Sequence, residues 1–164
     1  MLLAWGCCGL LVPCQYSSRV GLYSQGIVTN EIDAAVAALD EGISFKQGYL
    51  PFRRLAVPRH ASAGALPGDR VFKVGCTTGL TFGEVVDIMT QVGPVNYDHG
   101  PCWFRRSIVI EGLNGSRFSD HGDSGSIIVR TNGEVIGVLY AGNGQQTYAC
   151  PIDIVLQSLG CTLA

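Results

Sequence analysis

Charged side chains are scarce in this sequence, and the cationic ones form no cluster. Only 15% of the 164 residues are charged and 47% are hydrophobic, a balance that argues against intrinsic disorder. The net charge is −2, and the basic pairs Arg53-Arg54 and Arg105-Arg106 stand apart from one another. Because nucleic-acid binding needs a basic stripe or patch, no nucleic-acid partner is expected.

Metal-ligand spacings are also missing. No cysteine pair has the C-x-x-C spacing of a zinc site, so neither a metal nor a cofactor is predicted. The seven cysteines are an odd number, so at least one thiol stays unpaired if the others form disulfides. Cysteine usage therefore assigns no redox compartment, and the localisation of the protein is left open.

No apolar run is long enough to span a bilayer. The most apolar stretch, MLLAWGCCGLLVP at residues 1–13, is too short, and no membrane span is predicted. It also lacks the positive charge that opens a secretion signal. Three interpretations stay open for it: an unusual signal, a buried strand pair broken by glycines, or a wrongly assigned start. We treat residues 1–26 as an atypical apolar segment and 27–164 as one domain.

Glycine, in contrast, is plentiful, and turn signals are spread along the chain, a pattern typical of short strands joined by tight turns. Strands are predicted over 17–30, 70–75, 84–92, 105–112 and 126–142, the last as a hairpin about Asn132-Gly133, with a turn region over 77–83. Propensity predicts a helix over the Ala-rich residues 31–40. A C-terminal helix is predicted over 151–160, with Pro151 in its first turn and Gly160 at its end. The chain is mostly β, as a barrel or sandwich, with a C-terminal helix.

The stretch FSDHGDSGSIIV, residues 118–129, places Ser124 in a glycine-rich turn before a β-branched run. A serine hydroxyl becomes an effective nucleophile only when a base takes its proton and N–H donors face the developing oxyanion. Gly122 lets the backbone bend so that its own N–H and that of Ser124 point to one spot, and Gly125 removes bulk beside the hydroxyl. A structural Gly-Ser turn is the simpler alternative for the motif alone.

Four motifs in order carry a family resemblance: KVGCTTGLTFG (73–83), FSDHGDSGS (118–126), IGVLYAG (136–142) and ACPI (149–152). The chain resembles the trypsin-like, chymotrypsin-fold serine peptidases, and within them the bacterial and plant branch with KVGxTTGLTxG and FSxxGDSGS motifs. The resemblance covers roughly residues 27–160. It implies a double β-barrel with a complete second barrel and an incomplete first one, as in an N-terminally truncated peptidase domain.

The resemblance also implies roles for individual residues. Ser124 matches the nucleophile, the N–H groups of Gly122 and Ser124 match the oxyanion hole, and Asp123 matches the buried carboxylate that shapes that loop. Asp33, about 90 residues before Ser124, matches the triad aspartate. This assignment conflicts with the helix predicted there, because the family has an extended segment at that point.

Substrate contacts follow from the same resemblance. Tyr140, Ala141 and Gly142 match the strand that lines the substrate backbone. Phe118, six residues before Ser124, matches the base of the primary specificity pocket. Because Phe118 carries no acid, a preference for a small or apolar substrate side chain is expected over Arg or Lys.

The triad histidine is not found. The family places it upstream of the aspartate, whereas His60, His99 and His121 all follow Asp33. As a substitute base, His121 would lie on the Ser124 loop itself. His60 as the base would give the chain order Asp, His, Ser of the subtilisins. Subtilisins are parallel α/β proteins, whereas this chain is predicted to be antiparallel β. His99 lies in a predicted turn, so three surface histidines are the simplest interpretation.

A cysteine nucleophile is a further alternative. Cys76 replaces the basic residue of the family's RTTG stretch, and Cys150 replaces the Asn of ANPI. Neither thiol lies in the glycine-rich turn, which favours Ser124. The sequence thus predicts a serine endopeptidase domain acting on polypeptides, weakly active or inactive without its base. The alternative is a non-catalytic barrel that binds peptides or partner proteins.

Overall fold

The computed structural model describes residues 2–3, 21–43, 60–61 and 64–163. Most of the predicted 1–26 segment, including Cys7, Cys8 and Cys14, lies outside these residues, and the boundary at residue 27 stays a prediction. Within the described residues, no helix is both long and apolar enough to cross a membrane.

Ten strands and one α-helix make up the described structure, with a short 3-10 turn at Leu113–Gly115. In chain order they are β1 (Leu2–Leu3), β2 (Gly21–Val28), β3 (Asp33–Leu39), β4 (His60–Ala61), β5 (Arg70–Gly75), β6 (Gly79–Tyr97), β7 (Gly100–Gly112), β8 (Ile127–Arg130), β9 (Glu134–Gly142), β10 (Gln146–Pro151) and α1 (Ile152–Leu159). This composition confirms the prediction of a mostly β chain with a C-terminal helix.

Six of the strands close into a barrel. The order in the large sheet is β10-β7-β6-β5-β8-β9, and β10 pairs again with β9, so the sheet returns on itself. All six pairings around this ring are antiparallel, and β4 adds a parallel pairing to the start of β9. Closure of the ring leaves each of its strands with a neighbour on both sides.

Five neighbouring strands, β5 to β9, each contribute a buried apolar side chain to one hydrophobic cluster. Val71, Val85, Ile110, Ile128 and Ile136 are each at most 1% exposed and belong to it. Burial of apolar surface contributes about 25 cal/mol per Å², so this cluster stabilises the closed sheet.

A second, smaller sheet lies beside the barrel in the order β1-β3-β2. The apolar residues Ile32, Ala34 and Val36 are buried in a cluster shared with the helix α1 and strand β9. The backbone N–H of Arg105 on β7 donates to the carbonyl of Asn30 at 2.6 Å, which ties this sheet to the barrel.

The helix predicted over residues 31–40 is wrong. Residues Asp33–Leu39 form β3, which pairs with β2 on one side and β1 on the other. The residues from Asp33 to Val36 are all buried, so both faces of the strand are covered. Tertiary pairing and burial outweigh the helix propensity of alanine, whose advantage is only a few tenths of a kcal/mol per residue.

Other sequence predictions hold with small corrections. The hairpin is confirmed, with Gly133 at φ 95° in the turn between β8 and β9. The predicted strand 84–92 lies inside β6, which begins at Gly79 and so takes over part of the predicted turn region. The C-terminal helix is confirmed and ends at Gly160, in the left-handed conformation at φ 62°. Pro151 is its N-cap residue and ends β10, rather than lying in the first turn.

Candidate active site

Ser124 lies on the loop that leads from β7 into β8. Its Oγ donates to the carbonyl of Tyr140 on β9 at 3.5 Å, and its side chain is partly exposed. The loop turns sharply because Gly122 and Gly125 adopt positive φ values of 97° and 86°. A Cβ built on Gly122 would overlap Thr77 Oγ1, so glycine is required there by space as well as by conformation.

Two backbone donors beside the hydroxyl are free. No hydrogen bond within the described part of the chain engages the N–H of Gly122 or that of Ser124. The neighbouring N–H groups are used: that of Gly125 donates to the Leu139 carbonyl at 2.8 Å, and that of Ser126 donates to the Asp123 carbonyl at 3.0 Å. The N–H of Asp123, between the two unoccupied donors, donates to the Asp120 carbonyl at 3.1 Å, so bonded amides lie between these donors and directly after them.

The Asp123 carboxylate accepts hydrogen bonds from the Ser124 loop and from the turn after β5. Its side chain is fully buried. Oδ1 accepts the N–H of Thr77 at 2.8 Å and that of Thr78 at 3.2 Å. Oδ2 accepts the hydroxyl of Thr78 at 2.6 Å and the N–H of Asp120 at 3.0 Å. Any Cβ at Gly75 would collide with this carboxylate, so the glycine of the KVG stretch leaves room for it.

Lys73 is the cation that faces this carboxylate. Its Nζ lies 3.2 Å from Asp123 Oδ2, and both side chains have no exposed surface. Burial raises the pKa of Asp123, but hydrogen bonds from Thr78, Asp120 and Thr77, together with the charge of Lys73, outweigh it and leave the pKa below its usual value. Sequence reasoning missed Lys73. The available signal was a lysine among apolar residues in the predicted strand RVFKVG.

Asp33 is buried at the start of β3, 5% exposed. The Tyr97 hydroxyl donates to its Oδ2, while its Oδ1 is buried without a hydrogen-bond partner among the described residues. Burial raises the pKa of Asp33, although the bond from Tyr97 and the nearby His99 act in the opposite direction. Sequence reasoning assigned no role to Tyr97, which reaches Asp33 from the far end of β6.

Cys150 holds the backbone of the same aspartate. The Asp33 N–H donates to the Cys150 Sγ at 3.3 Å, and the thiol in turn faces the Asp33 carbonyl at 3.9 Å. Burial raises the pKa of Cys150 to about 12, so the group is a neutral thiol. It is also free of any disulfide. Cys150 is thus a structural contact of the Asp33 backbone and not an ionised nucleophile.

The described imidazoles of His99 and His121 have no described hydrogen bond with Ser124. His99 stacks on Tyr97 with ring centroids 5.4 Å apart, and its Nε2 lies 3.4 Å from Cys102 Sγ. His121 is exposed, and its carbonyl accepts the hydroxyl of Thr77. Neither imidazole is hydrogen-bonded to Ser124 or Asp33 within the described structure. The backbone of His60 forms the two-residue β4, where a loop was predicted.

The predicted substrate contacts lie in different environments. Phe118 is 1% exposed and belongs to the barrel core, so its ring does not reach solvent. Tyr140 is buried against Phe104 with centroids 4.6 Å apart. Ala141 and Gly142 are more exposed and pair with β10 on one side, whereas the pairing of β9 with β8 ends at Val138. The roles of these residues toward a substrate stay predictions.

The described residues contain no cluster of three or more His, Cys, Asp or Glu side chains that could hold a metal ion. Around Ser124, the arrangement offers a hydroxyl and two N–H donors that no described group engages. The buried carboxylate of Asp33 comes from the other sheet, and no hydrogen bond within the described structure joins it to Ser124.

The solved structures similar to this one include bacterial serine proteases. Cellulomonas bogoriensis chymotrypsin shares 22% identity with a TM-score of 0.67 over 88% of this chain and 75% of its own. A glutamic acid-specific serine protease shares 23% identity with a TM-score of 0.65 over 90% and 75%. Thermobifida fusca protease A shares 19% identity with a TM-score of 0.66 over 88% and 74%. At such identities the likeness establishes the fold, which is chymotrypsin-like.

The sequence itself matches a family model. Among curated proteins, none matches the chain significantly. The model of the Nal1 C-terminal domain matches residues 54–149, which is more than half of the chain and spans the Ser124 loop. The chain belongs to the Nal1 C-terminal domain family.

Proposed function

We propose that this domain is a serine endopeptidase domain in which Ser124 is the acyl-transfer nucleophile, and that the chain is weakly active or inactive because no histidine of its sequence matches the triad base. The observation that carries the proposal is the pair of unoccupied N–H donors of Gly122 and Ser124 beside the Ser124 hydroxyl. Unpaired donors fixed by a rigid loop are the arrangement that stabilises an oxyanion.

The chemistry follows from those positions. Ser124 Oγ attacks the carbonyl carbon of a peptide bond, and the carbonyl oxygen gains negative charge as the tetrahedral intermediate forms. The N–H groups of Gly122 and Ser124 donate to that oxygen, and the buried Asp123 keeps the loop from relaxing. With no triad histidine assigned, solvent water carries the Ser124 proton to the leaving nitrogen as the C–N bond breaks, which releases the amine and leaves an acyl ester on Ser124. Water then hydrolyses the ester to the carboxylic acid and restores the Ser124 hydroxyl.

The histidine that would take the proton of Ser124 is not identified among the described residues. A triad needs a histidine that takes the serine proton and donates its other N–H to a carboxylate. The unpartnered Oδ1 of buried Asp33 is an acceptor suited to such a donor. Neither His99 nor His121 is hydrogen-bonded to it within the described structure. Loss of a triad base lowers kcat by roughly 10⁶.

A fluorophosphonate probe tests the proposal. Slow labelling confined to Ser124 is expected, at a rate roughly 10⁶ below that of a complete triad. Ser124→Ala should abolish the signal, whereas Ser116→Ala should leave it unchanged, because Ser116 is exposed and only bonds the Leu113 carbonyl. Rapid labelling that disappears in Ser124→Ala would contradict the inactivity, and labelling at another residue would contradict the nucleophile.

One observation favours a second function, a peptide-binding barrel without catalysis. Beyond Leu139, whose carbonyl and N–H bond Gly125 and Ser126, β9 pairs with β10 on one side, and no backbone pairing to its other side occurs among the described residues. The segment from Tyr140 to Gly142 can therefore accept an extended peptide by strand addition. Peptide binding that persists unchanged in Ser124→Ala, with no cleavage on long incubation, would support this function over hydrolysis.

A further inference from the structure

The β6–β7 hairpin carries a thiol and an imidazole side by side. Tyr97 and Gly100 pair at its end, so the chain reverses through the two residues Asp98 and His99. Cys102 follows on β7, and its Sγ lies 3.4 Å from His99 Nε2. The Gly100 carbonyl, at 3.9 Å, is the more distant of the two described partners of the thiol. The imidazole is therefore the nearest described acceptor for the thiol proton.

This imidazole packs on an aromatic ring that is itself held in place. The ring of His99 stacks on Tyr97 with centroids 5.4 Å apart and planes at 29°. The Tyr97 hydroxyl donates to the buried Asp33, and its ring lies 6.1 Å from that of the buried Phe104. A nucleophile beside a base that a third group orients is the arrangement of an activated nucleophile. Cys102, His99 and Tyr97 have this arrangement.

Two other thiols provide the contrast. Cys161 is partly exposed, like Cys102, but its Sγ donates to the Leu159 carbonyl at 3.2 Å. A carbonyl oxygen accepts a hydrogen bond and takes up no proton, whereas a neutral imidazole does take one. Cys150 is buried, out of reach of solvent. Of these three thiols, Cys102 is the one that combines access from solvent with a proton acceptor.

We propose that Cys102 and His99 form an oxidation site for small hydroperoxides, at which Cys102 becomes a sulfenic acid. His99 Nε2 takes the thiol proton, and the thiolate attacks one oxygen of the peroxide. The S–O bond forms as the O–O bond breaks, and His99 returns its proton to the leaving oxygen, which departs as water or an alcohol. The sulfur loses two electrons and the peroxide gains them, so no further reactant is needed.

Two features favour a hydroperoxide over a carbon electrophile. Its leaving group is a basic oxygen, so a proton donor beside the sulfur speeds its departure. It is also small, which suits a thiol that is only partly exposed. The reaction does not use the Ser124 hydroxyl, so the oxidation site stands or falls independently of the proposed function.

Trapping of the sulfenic acid with dimedone measures the reaction at each cysteine. The full chain is treated with excess hydrogen peroxide at neutral pH, and peptide mass spectrometry gives the rate of adduct formation at Cys102 and at Cys161. Only the thiolate reacts, and a free thiol is a few per cent ionised at neutral pH, so proton transfer to His99 should make Cys102 at least about tenfold faster than Cys161. Equal rates at the two thiols, or no adduct at Cys102, would overturn the proposal.

A histidine variant tests the role of the base. His99→Asn removes the imidazole and keeps a polar side chain that turns accept. The rate at Cys102 should fall about tenfold, toward that of Cys161, which should itself stay unchanged. His121→Asn is the matched control, because His121 is also exposed and its described hydrogen bonds are made by its backbone. An unchanged rate at Cys102 in His99→Asn, or an equal fall in His121→Asn, would contradict the proposal.

Amide hydrogen exchange separates a lost base from a disordered hairpin. The paired amides of the β6–β7 hairpin should keep their protection in His99→Asn, because the substitution lies in its turn. Slower oxidation together with rapid exchange throughout the hairpin would overturn the role of His99, since unfolding of the hairpin would explain it. Iodoacetamide checks the class of electrophile: rapid alkylation of Cys102 without any sulfenic acid would overturn the choice of a hydroperoxide.

Discussion

Tyr97→Phe removes the hydroxyl that donates to the buried carboxylate of Asp33, and its effect on stability should depend on pH. Asp33 is 5% exposed, and its other oxygen has no partner among the described residues, so the variant leaves the whole carboxylate without a described hydrogen bond. A hydrogen bond to a charged group contributes about 1.5–3 kcal/mol, against about 0.5–1.5 kcal/mol for a neutral pair. The free energy of unfolding should fall by the larger amount at neutral pH.

The sign of the pH dependence follows from the direction of the pKa shift. Burial raises the pKa of Asp33 above its ordinary value of 3.8, while the bond from Tyr97 holds that rise back. A carboxyl whose folded pKa is raised stabilises the fold fully below its unfolded pKa, and this contribution is lost as pH rises through the folded pKa. Tyr97→Phe lets the pKa rise further, so its destabilisation should grow between about pH 4 and pH 7.

Thermal unfolding at both pH values measures the effect. At neutral pH we expect a fall in melting temperature of about 3–12 °C, from about 2–4 °C per kcal/mol in a domain of this size. Tyr148→Phe is the matched control, because its hydroxyl bonds Asn143 and Gln146 near the surface and faces no buried charge. A loss of stability in Tyr97→Phe that is independent of pH, or no larger than that of Tyr148→Phe, would refute the reasoning.

Two further predictions concern the Ser124 loop and the thiol behind Asp33. Gly122→Ala should lower the free energy of unfolding by more than about 2 kcal/mol and slow phosphonate labelling, because it adds a clash with Thr77 to the strain of a positive φ. Gly144→Ala is the matched control, since Gly144 has φ 89° but open space around its Cβ position. Equal losses of stability for the two variants in urea unfolding would contradict the prediction. Cys150 should resist iodoacetamide at about pH 8 in the native protein and react in urea, because its pKa is about 12 and it is 1% exposed. Mass spectrometry of the labelled peptides measures the alkylated fraction of Cys150, and rapid alkylation in the native protein would contradict this prediction.

The parts of the fold that sequence could predict are those with strong local signals. The β8–β9 hairpin is set by Asn132-Gly133 between two β-branched runs, and the end of α1 is set by Gly160. The glycines around Ser124 likewise mark a tight turn by their chemistry alone. In each case the physical cause lies within a few neighbouring residues, so the sequence contains it.

The parts that sequence could not predict depend on distant residues. Propensity predicts a helix where β3 lies, because its alanines favour helix locally. They form a strand because β3 pairs with β1 and β2 and packs in the cluster with α1, and these contacts come from distant parts of the sequence. Tyr97 reaches Asp33 across 64 positions of the chain, and Lys73 meets Asp123 across 50. The placement of Asp33 on an extended segment came from the family resemblance, against its propensity.

Every described contact that shapes the Ser124 loop comes from the closed barrel: Lys73 and the turn after β5, the carbonyl of Leu139, and the carbonyl of Tyr140 on β9. Asp33, in contrast, belongs to the small sheet. Under the proposed function, substitutions in the small sheet would therefore leave the described contacts of the Ser124 loop unchanged, and the geometry of the serine and its two N–H donors would not depend on the sheet that carries Asp33.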